Sequence, residues 1–214
     1  MTSDGEGRLR GYFLAACLIL GGCVDPLSLV SGDPPKLFDL TPKSTFDADL
    51  PQIESSLTVE VPTATAGLNT TRIAVKPTPT QFEYYAGAQW VDVVPIMAQS
   101  LILESFDNSD VVEILGRNSY GLRADYGLLI NIREFQAEYD GNGPPTVEVR
   151  FQTRLVKMPR RTTLATVSVN GSASSVSKAL PEIVTAFDQA FGSATKDLVD
   201  WTVRHIADLE GGPS

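Results

Sequence analysis

Few residues of this chain could do chemistry. Its 214 residues include two cysteines, Cys17 and Cys23, and a single histidine, His205. Cys17 lies inside an apolar run, Tyr12 to Leu20, and Cys23 follows directly after Leu20-Gly21-Gly22. A thiol acts as a nucleophile through its thiolate, so the setting of each cysteine decides what it can do. His205 falls one helical turn after Trp201, near the end of a periodic segment, where a cation complements the helix dipole. No HExxH, GxSxG or GxxxxGKS/T pattern accompanies it. Gly116 and Gly121 flank Arg117-Asn118-Ser119-Tyr120, too sparsely for a phosphate loop. Asp107-Asn108-Ser109-Asp110 could hold a cation loosely, but short polar residues after an apolar stripe read first as a helix stop. We therefore assign no catalytic residue, no metal and no cofactor, and the chain does not read as an enzyme.

Arg8 and Arg10 precede the apolar run, and small residues follow it. A run this short cannot span a bilayer, which takes roughly 20 residues. Residues 1–22 read as a signal peptide, with Asp4 and Glu6 diluting the basic end. Leu20-Gly21-Gly22-Cys23 resembles a bacterial lipobox. That resemblance implies cleavage between Gly22 and Cys23, a diacylglycerol on the Cys23 thiol and an N-acyl chain on its amine. Stable anchoring takes two or more such chains. Residue 24 is Val rather than Asp, which implies passage to the outer membrane, facing the periplasm.

The leader carries two cations and two acids, so its removal leaves the net charge at −9. An acidic surface argues against nucleic acid, whose backbone needs a basic face, and against adhesion to anionic lipid by charge. With Cys23 acylated the remaining chain has no thiol, hence no internal disulfide. Packing must supply the stability. Residues 23–34, with Pro26, Gly32 and Pro34, form a flexible tether of roughly 30 Å at about 3.1 Å per residue. Residues 35–210 suffice for one globular domain.

The elements follow from periodicity. Lys36–Leu40 is a short strand, and Thr41–Ser55 a loop. Leu57, Val59 and Val61 alternate with Thr58 and Glu60 until Pro62. Thr63–Asn69 suggests a helical turn. Arg72–Lys76 and Gln81–Ala86, joined by Pro77-Thr78-Pro79-Thr80, make a hairpin. A helix runs from about Val93 to Phe106, with Asp92 as N-cap and Pro95 in its first turn. Val111–Leu115 is a short strand. Tyr126–Tyr139, Val147–Lys157 and Thr163–Ala173, linked by Asp140-Gly141-Asn142-Gly143 and Pro159-Arg160-Arg161, form an antiparallel meander. From Pro181, the residues Ile183, Phe187, Ala190, Phe191, Ala194, Leu198 and Trp201 mark a long helix with one core-facing stripe. Phe82, Tyr84, Tyr85 and Trp90 either pack a hairpin or present an apolar patch that docks a partner.

Phe82-Glu83-Tyr84-Tyr85-Ala86-Gly87-Ala88-Gln89-Trp90-Val91-Asp92 is an aromatic strand, a short loop, Trp, a small apolar residue and an acid before an amphipathic helix. With the Cys23 lipobox, the early Leu37-Phe38-Asp39-Leu40 strand and the terminal helix bearing Trp201, it resembles the ABC-type transport auxiliary lipoproteins. These are encoded beside MCE-type lipid transporters and include the paraquat-inducible lipoprotein. The resemblance implies an α/β fold: a three-layer sandwich with a mixed, largely antiparallel sheet and two main helices, similar to the N-terminal domain of the Tol-system propeller protein. It implies a non-enzymatic role beside an MCE-domain protein, an ABC permease and an ATPase, in a complex moving phospholipid or other hydrophobic substrates. Cys23 would carry the lipid, and Tyr84, Tyr85 and Trp90 would pack or dock. Homo-oligomerisation stays open. The alternatives are a stand-alone periplasmic lipid-binding lipoprotein, which needs an enclosed apolar cavity, and a secreted enzyme, which needs a cleft of convergent ionisable groups.

Overall fold

The computed structural model describes residues 33–114 and 123–211. Gly22, Cys23, most of the tether and the Arg117–Tyr120 segment lie outside these residues. The strands are β1 (Lys36–Phe38), β2 (Ser56–Val59), β3 (Thr63–Ala64), β4 (Arg72–Thr78), β5 (Gln81–Trp90), β6 (Glu113–Ile114), β7 (Tyr126–Glu138), β8 (Thr146–Lys157) and β9 (Thr162–Ser174), and the helices are α1 (Val94–Ser109) and α2 (Leu180–Gly211).

The sheet is open, mixed and organised on β7. Along one edge β7 carries a long antiparallel ladder system, β8 then β9, as the alternating patterns lead one to expect. Its other edge is shared in parallel by three short strands, β2 at its start, β3 in its middle and β4 at its end. The hairpin β4–β5 forms, and β1 adds parallel to the far end of β5. β6 pairs in parallel with β2. Of the helical turn expected over Thr63–Asn69, Thr63–Ala64 is instead strand β3, and the turn follows it: the Leu68 and Asn69 amides both donate to the Thr65 carbonyl at 2.9 Å.

Two departures from simple alternation matter. Val61 is 49% exposed, whereas Leu57 and Val59 are in the core, because β2 ends at Val59. In β7 the register slips between Ile132 and Glu134, a bulge that seats Arg133 as an extra residue. The slip restores Phe135 and Ala137 to the buried side after an exposed Arg133.

Both helices serve one core. α1 touches α2 and β2, and α2 lies along β9, β8 and β7. The α/β class, the mixed sheet and the two main helices stand as expected. α2 packs on the buried side of β7, β8 and β9, whose other side carries exposed or half-buried residues such as Asn131, Gln152 and Arg154. Pro95 sits in the first turn of α1, but Val93 is its N-cap; Asp92 Oδ1 accepts the Val93 amide at 2.7 Å. Asp110, at φ 53°, closes the helix in a left-handed turn and donates its amide to the Asp107 carbonyl. Asn108 donates to the Lys43 carbonyl at 3.1 Å and Ser109 to the Phe106 carbonyl at 2.6 Å, so this acidic segment ends a helix.

The irregular stretch between β1 and β2 straps the helices. Thr41 donates its amide and hydroxyl to Asp188 (2.6 and 2.9 Å), and the Lys43 amide donates to Ser105 Oγ (2.9 Å). Lys196 bridges Asp47 and Asp200 (2.8 and 2.6 Å), and Arg204 meets Asp49 (2.9 Å). The Lys196 ammonium holds the Asp47 carboxyl below its ordinary range, chiefly by its hydrogen bond.

Gly171 is where α2 lies closest to the sheet. A Cβ added there would stand 1.9 Å from the Ala190 carbonyl oxygen, a backbone atom that cannot step aside. Gly171→Val is therefore expected to lower the unfolding free energy by about 3 kcal/mol or more, from overpacking. Urea denaturation measures it, and a wild-type midpoint in the variant would contradict this packing. Asp125 gives a pH signature. Its carboxylate accepts the Ser56 amide (3.0 Å) and hydroxyl (2.9 Å), and these bonds hold its pKa below the ordinary value. A depressed carboxyl stabilises the fold above its unfolded pKa and loses that contribution as the pH falls through the folded value. Asp125→Asn should thus be less stable than wild type at pH 7 and indistinguishable from it near pH 2, read as paired thermal midpoints.

Candidate docking surface

The aromatic cluster of the sequence divides between core and surface. β5 begins at the exposed edge of the sheet and ends under α2. Its pairing with β4 slips strongly between Ala74, opposite Tyr84, and Arg72, opposite Gln89. The expected loop at Ala86-Gly87-Ala88 is thus a bulge within one strand, with Gly87 at φ 67°, where glycine is favoured.

Trp90, beyond the bulge, is 1% exposed. Its ring meets Phe187 at 5.1 Å and Phe135 at 5.8 Å, both edge-on. It packs the core and offers no surface to a partner. Tyr85 is half-buried on the strand's other side, its hydroxyl 3.4 Å from that of Tyr139. Burial, and then the bond shared with Tyr139, push its pKa well above the ordinary phenol value. Tyr84 is half-buried and donates to the Gly67 carbonyl at 3.0 Å, with the Arg72 guanidinium 3.6 Å above its ring. Phe82 stands edge-on to Tyr84 at 5.6 Å and is 41% exposed. Sequence reasoning put Phe82 in the cluster without singling it out, yet it is the most accessible of these rings.

Phe82, Tyr84, Tyr85 and Arg72 line an open surface groove of about 560 Å³ that also takes in Pro35. The groove thus adjoins the first described residues of the domain. Leu37 on β1 is exposed beside this edge. The outer edge of β5 is paired with β1 only from Ala88 to Trp90. The surface can do two things: bury rings against an apolar partner, and lend backbone groups to an added strand.

His205 stacks on Trp201, ring centroids 5.4 Å apart, in a packing role. Among the described residues no cluster of three or more metal-ligating side chains occurs. No described helix is long and apolar enough to cross a membrane.

Residues 38–199 match the model of the family described as the ABC-type transport auxiliary lipoprotein component. The chain belongs to this family. An uncharacterized protein of Bradyrhizobium diazoefficiens, bll6063, is 33% identical over 170 residues, which are 75% of this chain and 45% of that one. The chain therefore spans less than half of that relative. Among solved structures, protein XCC0632 from Xanthomonas campestris superposes with a TM-score of 0.77 at 25% identity, covering 82% of this chain and 99% of that one. A second uncharacterized protein, at 13% identity and TM-score 0.62, covers 81% of this chain and 99% of its own, and shares the fold. The family's description is of a lipoprotein component auxiliary to ABC-type transport.

The split of the aromatic cluster has a measurable consequence. Trp90→Ala should cost about 3–5 kcal/mol, the range for a large aromatic removed from a core. Phe82→Ala should shift stability by no more than about 1 kcal/mol, as exposed positions do. Equal losses in chemical denaturation would contradict the assignment of one ring to the core and the other to the surface.

Proposed function

We propose that the protein is a non-catalytic adaptor of an ABC transporter, acylated at Cys23 and held at the outer membrane facing the periplasm. In this reading its partner is a membrane-anchored MCE-domain protein, served by an ABC permease and ATPase, and the complex moves phospholipid or other hydrophobic substrates across the envelope. Family membership over residues 38–199 carries the proposal. The lipobox at Leu20–Cys23 supports the anchor, and Pro35, the residue after the tether in sequence, lines the aromatic groove. Phe82 and Tyr84, with Tyr85 at the strand's other side, form the docking surface, and Trp90 fixes the strand that bears them.

A stand-alone carrier would enclose its lipid. The clefts described on this domain open to solvent, and the one beside α2 is lined by polar and charged groups such as Lys43, Asp188 and Lys196. That supports contact over enclosure.

Affinity purification of the lipidated protein from detergent-solubilised envelopes tests this. Recovery of an MCE-type protein is expected, and Phe82→Ser should reduce that recovery about tenfold, as loss of an exposed interface anchor does. Recovery of bound lipid without any transporter component would overturn the adaptor reading.

A further inference from the structure

The open face of the sheet holds a second groove, about 460 Å³, with β4 between it and the aromatic strand in pairing order. It is lined by Glu60, Val61 and Thr63, by residues of β7 and β8, by Arg161 from the β8–β9 turn and by Thr166 of β9. Its charges are unbalanced. Arg161 is neutralised by Glu60 at 2.8 Å. Arg133 and Arg154 line the same groove and have no ion-pair or hydrogen-bond partner among the described residues. On a chain of net charge −9, two unanswered guanidiniums in one cleft are a local excess of positive charge.

The excess is built by the fold. The β7 bulge seats Arg133 as the extra residue, and the next residue, Glu134, is taken by Arg150 at 2.5 Å. Arg154 stands opposite Leu129 in the β7–β8 ladder. Arg133 lies four residues on, about 13 Å along the strand. Between the two positions along the strands stand Asn131 and Gln152, which are ladder partners, and Thr166 pairs with Arg154 from β9. The Asn131 amide donates to Thr63 Oγ1 at 2.7 Å, which ties β3 to β7. Val61, 49% exposed, and Leu129 add an apolar border.

We propose that this groove binds the headgroup of an anionic glycerophospholipid. Guanidinium is the side chain best matched to phosphate oxygens. The amides and hydroxyls suit glycerol and ester oxygens. The apolar border suits the start of an acyl chain, which free phosphate lacks. The inference deepens the transport reading above and rests on it for its place in the cell, while the binding chemistry stands on the groove.

The test uses the lipidated full chain in detergent micelles, titrated calorimetrically with dihexanoyl phosphatidylglycerol, dihexanoyl phosphatidylcholine and inorganic phosphate. Saturable binding of phosphatidylglycerol is expected, weakened about tenfold or more in R133Q/R154Q, since each lost guanidinium removes a charge-assisted bond. Both positions are exposed, so the double variant should keep the wild-type thermal midpoint. Glu60→Gln frees Arg161 and should tighten binding, a gain that misfolding cannot imitate. Equal binding by wild type and double variant, equal affinity for phosphatidylcholine, or equally tight binding of inorganic phosphate would each overturn the proposal. So would weaker binding in Glu60→Gln. Recovery of the MCE-type partner is scored in the same preparations: its absence with wild type would count against the adaptor reading alone, and unaltered lipid binding in the double variant against the groove alone.

Discussion

The structure depends on one layer of aromatic contacts between the long helix and the sheet. Phe187 of α2 meets Trp90 and Phe135, and Phe191 meets Phe135 and Phe151, with centroids 5.1 to 6.4 Å apart. Three strands, β5, β7 and β8, each give one ring, so a single helix face fixes their relative positions. Gly171 lets that helix settle onto β9 without a side chain between them. Because one face of the sheet is consumed in this way, the strands can only offer function on their edge and on their opposite face.

That division explains where the candidate surfaces lie. Along β5, Phe82 is exposed, Tyr84 half-buried, Ala86 and Gly87 exposed at the bulge, and Ala88 and Trp90 buried beyond it. The same strand anchors the core at one end and presents rings at the other. On the far face of the sheet, ion pairs such as Arg150–Glu134 and Lys76–Glu138 bind neighbouring strands, worth little individually at an exposed surface. There the unpaired arginines are the exception.

Much of the fold is legible in the sequence. The meander shows because β7, β8 and β9 alternate over long stretches, and α2 because its apolar residues keep a spacing of three and four. The helix stop at Asp107–Asp110 is readable because short polar side chains compete for backbone groups. Bulges are what alternation hides. One inserted residue at Arg133 and a wider slip around Gly87 shift which side chains face out, and neither leaves a mark in composition. Trp90 was readable as either core or dock, since its burial depends on where α2 crosses. The parallel pairing of β2, β3 and β4 along one edge of β7 is a long-range arrangement that no local pattern encodes. The Arg133–Arg154 groove, assembled from four strands, was invisible for the same reason.

We propose that a lipid on Cys23 delivers this domain to its partner. Intact-mass measurement of the protein extracted from envelopes tests that most directly. It should give a chain starting at Cys23 and heavier by a diacylglycerol and an N-acyl chain. A mature form starting elsewhere, or one at the unmodified mass, would contradict it.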